Sequence, residues 1–190
     1  MLLAACGDNS APLPKLAPDA VILAFGDSLT HGTGARDYQS YPSVLADRTQ
    51  RTVINAGIPG EETAGGLRRL PGLLDRYRPD LLILCHGGND IMRRRDPAVT
   101  EANIREMIRI AREQDIPVVM IAVPNVGLFL SPADFYEDIA ADMQVPVEND
   151  MLADLLGDNR YKSDHVHPNA TGYARLAEAV QALLTEHGAL

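Results

Sequence analysis

A serine standing at the end of an apolar run is the first residue whose setting suggests chemistry. Val21-Ile22-Leu23-Ala24-Phe25 is followed by Gly26-Asp27-Ser28-Leu29-Thr30-His31-Gly32. The apolar run reads as a buried strand. The polar stretch reads as a sharp strand-to-helix turn that holds the Ser28 hydroxyl clear of the sheet and aims backbone N–H groups at the same point. Gly26 and Gly32 give such a turn its backbone freedom. A serine hydroxyl is a weak nucleophile alone, so the reading requires a histidine base and a carboxylate to orient it. Five histidines are available: His31, His86, His165, His167 and His187. His31 reads as a polar loop residue, His86 as a structural residue before a glycine pair, and His187 as part of a fraying tail. Asp164-His165-Val166-His167 sets a carboxylate and a histidine three residues apart, ahead of a helix that Asn169 can cap. In such a loop the carboxylate can hold one ring nitrogen while the other faces the serine, and on pattern alone either His165 or His167 serves. The same two histidines could pair on a metal, but no further ligand motif completes that site, so neither a metal nor a cofactor is expected.

The elements that must position these residues are read from periodicity. Strands are predicted at Val21–Phe25, Thr52–Asn55, Leu81–Cys85 and Val118–Val123, with a short one at Val145–Val147. Helices are predicted over 41–48, 62–78, 98–114, 132–143, 148–156 and 170–186. Pro71 falls inside the second of these and predicts a kink or a two-part helix. This alternation predicts an α/β fold, a three-layer flavodoxin-like sandwich with a five-stranded parallel sheet covered on both faces. In such sheets ligands bind outside the carboxyl ends of the strands. The first three strands all end there in polar, Gly-rich loops.

Composition narrows the function classes. The chain has 190 residues and a net charge of −9, which suits a single domain with a substantial core and no nucleic-acid footprint. With no Trp and three Phe, a sugar-stacking cleft is disfavoured. Cys85 lies inside an apolar run and reads as a small buried residue. Leu3-Ala4-Ala5-Cys6, followed by Gly7-Asp8-Asn9-Ser10 and a Pro-rich stretch, resembles a bacterial lipobox with its tether. That resemblance implies lipidation at Cys6 and a place in the cell envelope. Only Met1 and Leu2 precede the box, so a chance match with a cytoplasmic location is the alternative. Residues 1–18 are thus expected to be lipobox-like segment and tether, and 19–190 the functional domain.

Gly26-Asp27-Ser28-Leu29, Gly60 after Asn55, Gly88-Asn89-Asp90 and Asp164-x-x-His167-Pro168 together resemble the four blocks of the SGNH (GDSL) hydrolase family, in family order, over residues 21 to about 185. Asn55-Ala56-Gly57-Ile58-Pro59-Gly60-Glu61 and Gly66-Leu67-Arg68-Arg69-Leu70-Pro71 are similar to its compact periplasmic arylesterase, thioesterase and lysophospholipase branch. The resemblance implies that Ser28 is the nucleophile, His167 the general base and then acid, and Asp164 the group that orients it. It implies an oxyanion hole of the Ser28 and Gly60 N–H groups and the Asn89 amide. Gly57 is the rival donor in the second block, and the family's pattern favours Gly60. His165 is expected to be a bystander, and Asp27 and Asp90 to cap helices or brace loops. Asp27, Ile91, Met92, Val126, Leu128 and Phe129 are expected to line the substrate site, the apolar ones favouring an acyl or aryl group. Arg93-Arg94-Arg95 reads as a solvated loop, or else as the mouth of the cleft. The expected function is a serine ester hydrolase working through an acyl-enzyme on carboxylic esters, aryl esters or thioesters. The alternatives are an O-acetyl esterase acting on an envelope polysaccharide and a non-catalytic ligand-binding lipoprotein. The expected partner is a small-molecule ester or thioester, with no nucleic acid, with membrane contact only through Cys6, and with the chain as a monomer.

Overall fold

A computed structural model describes residues 12–125 and 130–190. Cys6 and three of the expected substrate contacts, Val126, Leu128 and Phe129, lie outside the described residues. Strands β1 (Val21–Gly26), β2 (Thr52–Gly57), β3 (Leu81–Cys85), β4 (Val118–Ile121) and β5 (Val147–Glu148) form one sheet in the order β2-β1-β3-β4-β5. All four pairings are parallel. This is the flavodoxin-like strand order expected, and its direction reverses between β1 and β3.

The helices follow from that order. They are α1 (Ser28–His31), α2 (Tyr41–Thr49), α3 (Thr63–Tyr77), α4 (Gly88–Met92), α5 (Pro97–Arg112), α6 (Phe135–Met143), α7 (Met151–Gly157) and α8 (Ala170–Glu186). The β1-to-β2 crossover runs one way along the sheet and the later ones run the other way. Right-handed crossovers therefore put α2 on one face and α3 and α5 on the opposite face. The packing agrees: α2 lies against α8, and α3 against α5. The central strands are buried on both faces, which is why they read as continuous apolar runs; every residue of β3 is at most 2% exposed.

Three expectations change. Helix α3 is one continuous helix with Pro71 inside it, not two pieces. The C-terminal tail does not fray: the Leu13 N–H donates to the His187 carbonyl and the Leu16 N–H to the Ala189 carbonyl, both at 2.9 Å. Those same bonds mean that the Pro-rich stretch is docked on the domain from Leu13 onward, with Leu16 and Ala189 both buried.

Candidate active site

The reversal of strand order opens a crevice between the loops that follow β1 and β3. Ser28 is the first residue of α1, so its N–H has no intrahelical acceptor and faces the crevice end of the helix. Asp27 caps that turn, its Oδ1 accepting from the Leu29 N–H at 3.0 Å. The two glycines of the turn act differently. Gly32 closes α1 in the left-handed region at φ +95°, as expected. Gly26 is needed instead for close approach, because a Cβ there would overlap the Cys85 carbonyl of the neighbouring strand.

The last block is a loop closed on itself. The Ser163 N–H donates to the His167 carbonyl at 2.9 Å, and the Asn169 side chain caps α8 through the Gly172 N–H. Tyr173 of α8 donates its hydroxyl to the Thr33 carbonyl at 2.8 Å, tying this loop to the serine turn. Within the loop, Asp164 Oδ1 accepts from the Val166 and His167 N–H groups at 2.8 and 2.9 Å. Its Oδ2 lies 2.8 Å from His167 Nδ1, and His167 Nε2 lies 2.9 Å from Ser28 Oγ. An ionised carboxylate only accepts, so Nδ1 carries the ring proton and Nε2 is free to accept from the serine hydroxyl. Burial pushes the Asp164 carboxyl up, but the His167 ring and the two amides outweigh it and hold it below its ordinary value. Of the two histidines, His167 is the one that meets Ser28, and His165 makes no bond to it.

The second and third blocks meet beside the serine. The Gly57 N–H is already spent on Asn55 Oδ1 at 3.0 Å. The Gly60 N–H meets no acceptor among the described residues, so of the two glycines it is the one with a donor to give. Asn89 sits in the first turn of α4, and its Nδ2 donates to Asp27 Oδ2 and to the Glu61 carbonyl, both at 3.0 Å. Asp27 is 1% exposed, and burial raises its carboxyl against the pull of His86, the Leu29 N–H, Asn89 and His167. Asp90 braces the site as expected, accepting from the Thr63 N–H and hydroxyl at 2.8 and 2.6 Å at the start of α3.

A cavity of about 330 Å3 opens beside Ser28 and His167. Asp27 and Met92, two of the expected substrate contacts, line it. Ile91 does not; it faces an adjoining hollow with Arg94, Arg95 and Phe135. His165 stands at the cavity wall with Lys162 and Val166. Leu130 belongs to the apolar 126–130 stretch that the sequence singled out, whereas sequence reasoning missed Val123, Pro124, Leu156 and Lys162, which come from three separate segments. The loop carrying Pro124 and Leu130 is pinched at its base, where Pro124 bridges Pro132 and the Asn125 N–H donates to the Ser131 carbonyl at 2.8 Å. Arg93 and Arg95 both pair with Glu62, at 2.6 and 3.0 Å, and so form a solvated ionic brace. Among the described residues no cluster of three or more His, Cys, Asp or Glu is arranged to hold a metal ion, and no helix is long and apolar enough to cross a membrane.

Residues 24–175 match the GDSL-like Lipase/Acylhydrolase family. The chain belongs to this SGNH (GDSL) hydrolase family. Among its relatives is an arylesterase of Vibrio mimicus, 33% identical over 177 residues, covering 87% of this chain and 88% of that one. Another is thioesterase 1/protease 1/lysophospholipase L1 of Escherichia coli (strain K12), 30% identical over 172 residues and covering 86% and 83%. The crystal structure of TesA superposes with a TM-score of 0.80 at 28% identity, covering 88% of this chain and 99% of that one. An SGNH hydrolase with these relatives is a serine ester hydrolase.

Proposed function

We propose that Ser28, His167 and Asp164 carry out acyl transfer from aryl, carboxylic or thiol esters with an apolar acyl group. The observation that carries this reading is the unbroken chain Asp164 Oδ2–His167 Nδ1 and His167 Nε2–Ser28 Oγ, at 2.8 and 2.9 Å. Ser28 Oγ attacks the carbonyl carbon as His167 Nε2 takes its proton, and Asp164 stabilises the imidazolium. The negative oxygen is met by the Ser28 and Gly60 N–H groups and the Asn89 amide. Both Asn89 hydrogens are engaged in the resting site, and a charged oxyanion outcompetes the neutral Glu61 carbonyl for one of them. The C–O or C–S bond breaks as His167 hands its proton to the alcohol or thiol. Water, deprotonated by the same nitrogen, then releases the acid from Ser28.

The cavity walls support an apolar acyl or aryl group, because Met92, Val123, Leu130, Leu156 and Val166 all contribute to them. The lipobox-like Leu3-Ala4-Ala5-Cys6 supports an anchored position in the envelope. The test is hydrolysis of a nitrophenyl ester series from acetyl to long acyl, with Ser28→Ala as the blank. A peak at medium or longer chains supports this reading. Activity confined to acetyl moves the assignment to a polysaccharide O-acetyl esterase, and no signal above the blank leaves a binding protein.

A further inference from the structure

The mechanism leaves one strongly bonded side chain unused. Glu61 directly follows Gly60, and its carboxylate is clamped from two elements at once. Arg69 of α3 donates to it twice, Nε to Oε1 at 3.1 Å and Nη2 to Oε2 at 2.5 Å. His86, directly after β3, meets Oε2 through Nε2 at 3.3 Å. The Gly87 N–H donates to His86 Nδ1, which leaves Nε2 as the protonated nitrogen and makes that contact a donation to Glu61. Burial raises the Glu61 carboxyl, yet the His86 and Arg69 bonds overcome it and hold it down at about 2. It is therefore a full anion across the working pH range.

The position of this clamp matters more than its strength. Arg69 stacks its guanidinium 4.3 Å from the centre of the Phe25 ring, and its Nη2 approaches the Gly26 carbonyl at 3.4 Å. Phe25 and Gly26 form the end of β1 that presents Ser28. His86 directly follows β3, in the segment that leads to Asn89. Glu61 itself carries the loop that presents Gly60, and its carbonyl accepts from Asn89. One carboxylate thus ties together the three segments that supply the three oxyanion donors. Gly60 itself is exposed, at φ +79°, and besides this loop it is held only at its carbonyl, which accepts from the half-exposed Arg93 at 3.1 Å.

We infer that Glu61, held by Arg69 and His86, is a positioning residue that fixes the distance between the Gly60 N–H, the Asn89 amide and Ser28. The inference rests on the acyl-transfer reading of Ser28 and its donors. Glu61 touches no reacting atom. Its effect falls on the transition state, because a donor displaced from the oxyanion is lost to catalysis while the cavity that binds the substrate, lined by none of these three side chains, is untouched.

The experiment compares the parent with Glu61→Gln, Glu61→Ala, Arg69→Met and the Glu61→Ala/Arg69→Met double variant. It measures kcat and KM on the preferred nitrophenyl ester, binding of the matching trifluoromethyl ketone, the pH midpoint of kcat, and thermal unfolding. The ketone adds to Ser28 as an oxyanion and so reads the hole directly. The expected result is a fall in kcat of about 10–100-fold, the scale of misplacing a reacting group by around 1 Å, with KM within about twofold. Ketone affinity falls by the same factor, and the pH midpoint stays in place. The double variant is no worse than the more damaging single one, as for residues acting as one unit. Glu61→Gln keeps the shape and a hydrogen-bonding oxygen, so it reports on a folded protein if Glu61→Ala melts early. Parent-like kcat and ketone affinity in a folded Glu61→Gln and Arg69→Met overturn the inference, as does a rise in KM with kcat unchanged. A Ser28→Ala control that retained turnover would instead overturn the underlying reading of the site.

Discussion

His167 Nε2 lies 2.9 Å from Ser28 Oγ, although 139 residues of chain separate them. The contact is made by two short loops, the turn after β1 and the loop before α8, each held by side-chain hydrogen bonds. Asp27 caps the serine turn, and Tyr173 ties the histidine loop to Thr33. The pair is therefore pre-aligned rather than assembled by substrate.

That alignment separates the two neighbouring histidines. His167→Ala is expected to lower kcat by about 10⁴–10⁶-fold, the scale of removing a triad base. His165→Ala removes only a cavity wall residue and is expected to leave kcat near that of the parent, with any change in KM. Steady-state kinetics on one nitrophenyl ester checks both, and the reverse order would move the base by two residues.

Asp164→Asn tests the proton on His167. The asparagine oxygen can still accept from the Val166 and His167 N–H groups, so the loop keeps its shape. Its amide then donates to Nδ1, which forces the ring proton onto Nε2 and leaves Ser28 without a base. The expected loss in kcat approaches about 10⁴-fold. Unfolding should show a modest loss of stability at neutral pH. The folded carboxyl is held low, so the parent's extra stability from this residue is present above its unfolded value and is lost as pH falls through the folded one. Thermal melts of both proteins should accordingly converge in acid.

Gly66 of α3 lies against His86, and a Cβ there would overlap Nε2, the atom that donates to Glu61. Helix propensity favours Ala over Gly by about 1 kcal/mol, but here the overlap dominates. Gly66→Ala is expected to destabilise by about 1–3 kcal/mol, as overpacking does, and to lower kcat as His86 is displaced. Denaturant unfolding of the variant settles the sign.

Glu148 gives a prediction away from the site. Burial raises its carboxyl to about 7, with Asp150 and Asp154 adding to the rise and the Met151 and Asp150 N–H groups opposing it. A folded group that holds its proton more tightly than the unfolded one makes stability fall as pH climbs from about 4.3 through 7. Glu148→Gln keeps an oxygen for the Met151 N–H and removes the charge. Its melting temperature should exceed the parent's at pH 8 and match it at pH 5.

Much of this was legible in the chain because turn chemistry is local. Gly26-Asp27-Ser28 announces a capped strand-to-helix turn within three residues, and Asp164 and His167 share one loop. The strands were legible because full burial makes them continuous apolar runs. What escaped was assembled by the fold. Leu156 and Lys162 line one cavity with Val123 and Met92, and no periodicity links them. The docking of Leu13 and Leu16 on the C-terminal tail is made by backbone groups, so its side-chain pattern is weak. Pro71 argued for a kink or a two-part helix, and α3, packed on α5, runs through it as one helix. The Arg69–Glu61–His86 clamp joins three elements, and each residue alone reads as an ordinary polar one.

The most direct test of the central claim is covalent trapping with a fluorophosphonate, read by intact mass and peptide mapping. An activated Ser28 should displace fluoride and gain one phosphonyl group per chain, with activity lost in proportion and no labelling in Ser28→Ala or His167→Ala. Full ester turnover by an unlabelled chain, or a label on any residue other than Ser28, would contradict it.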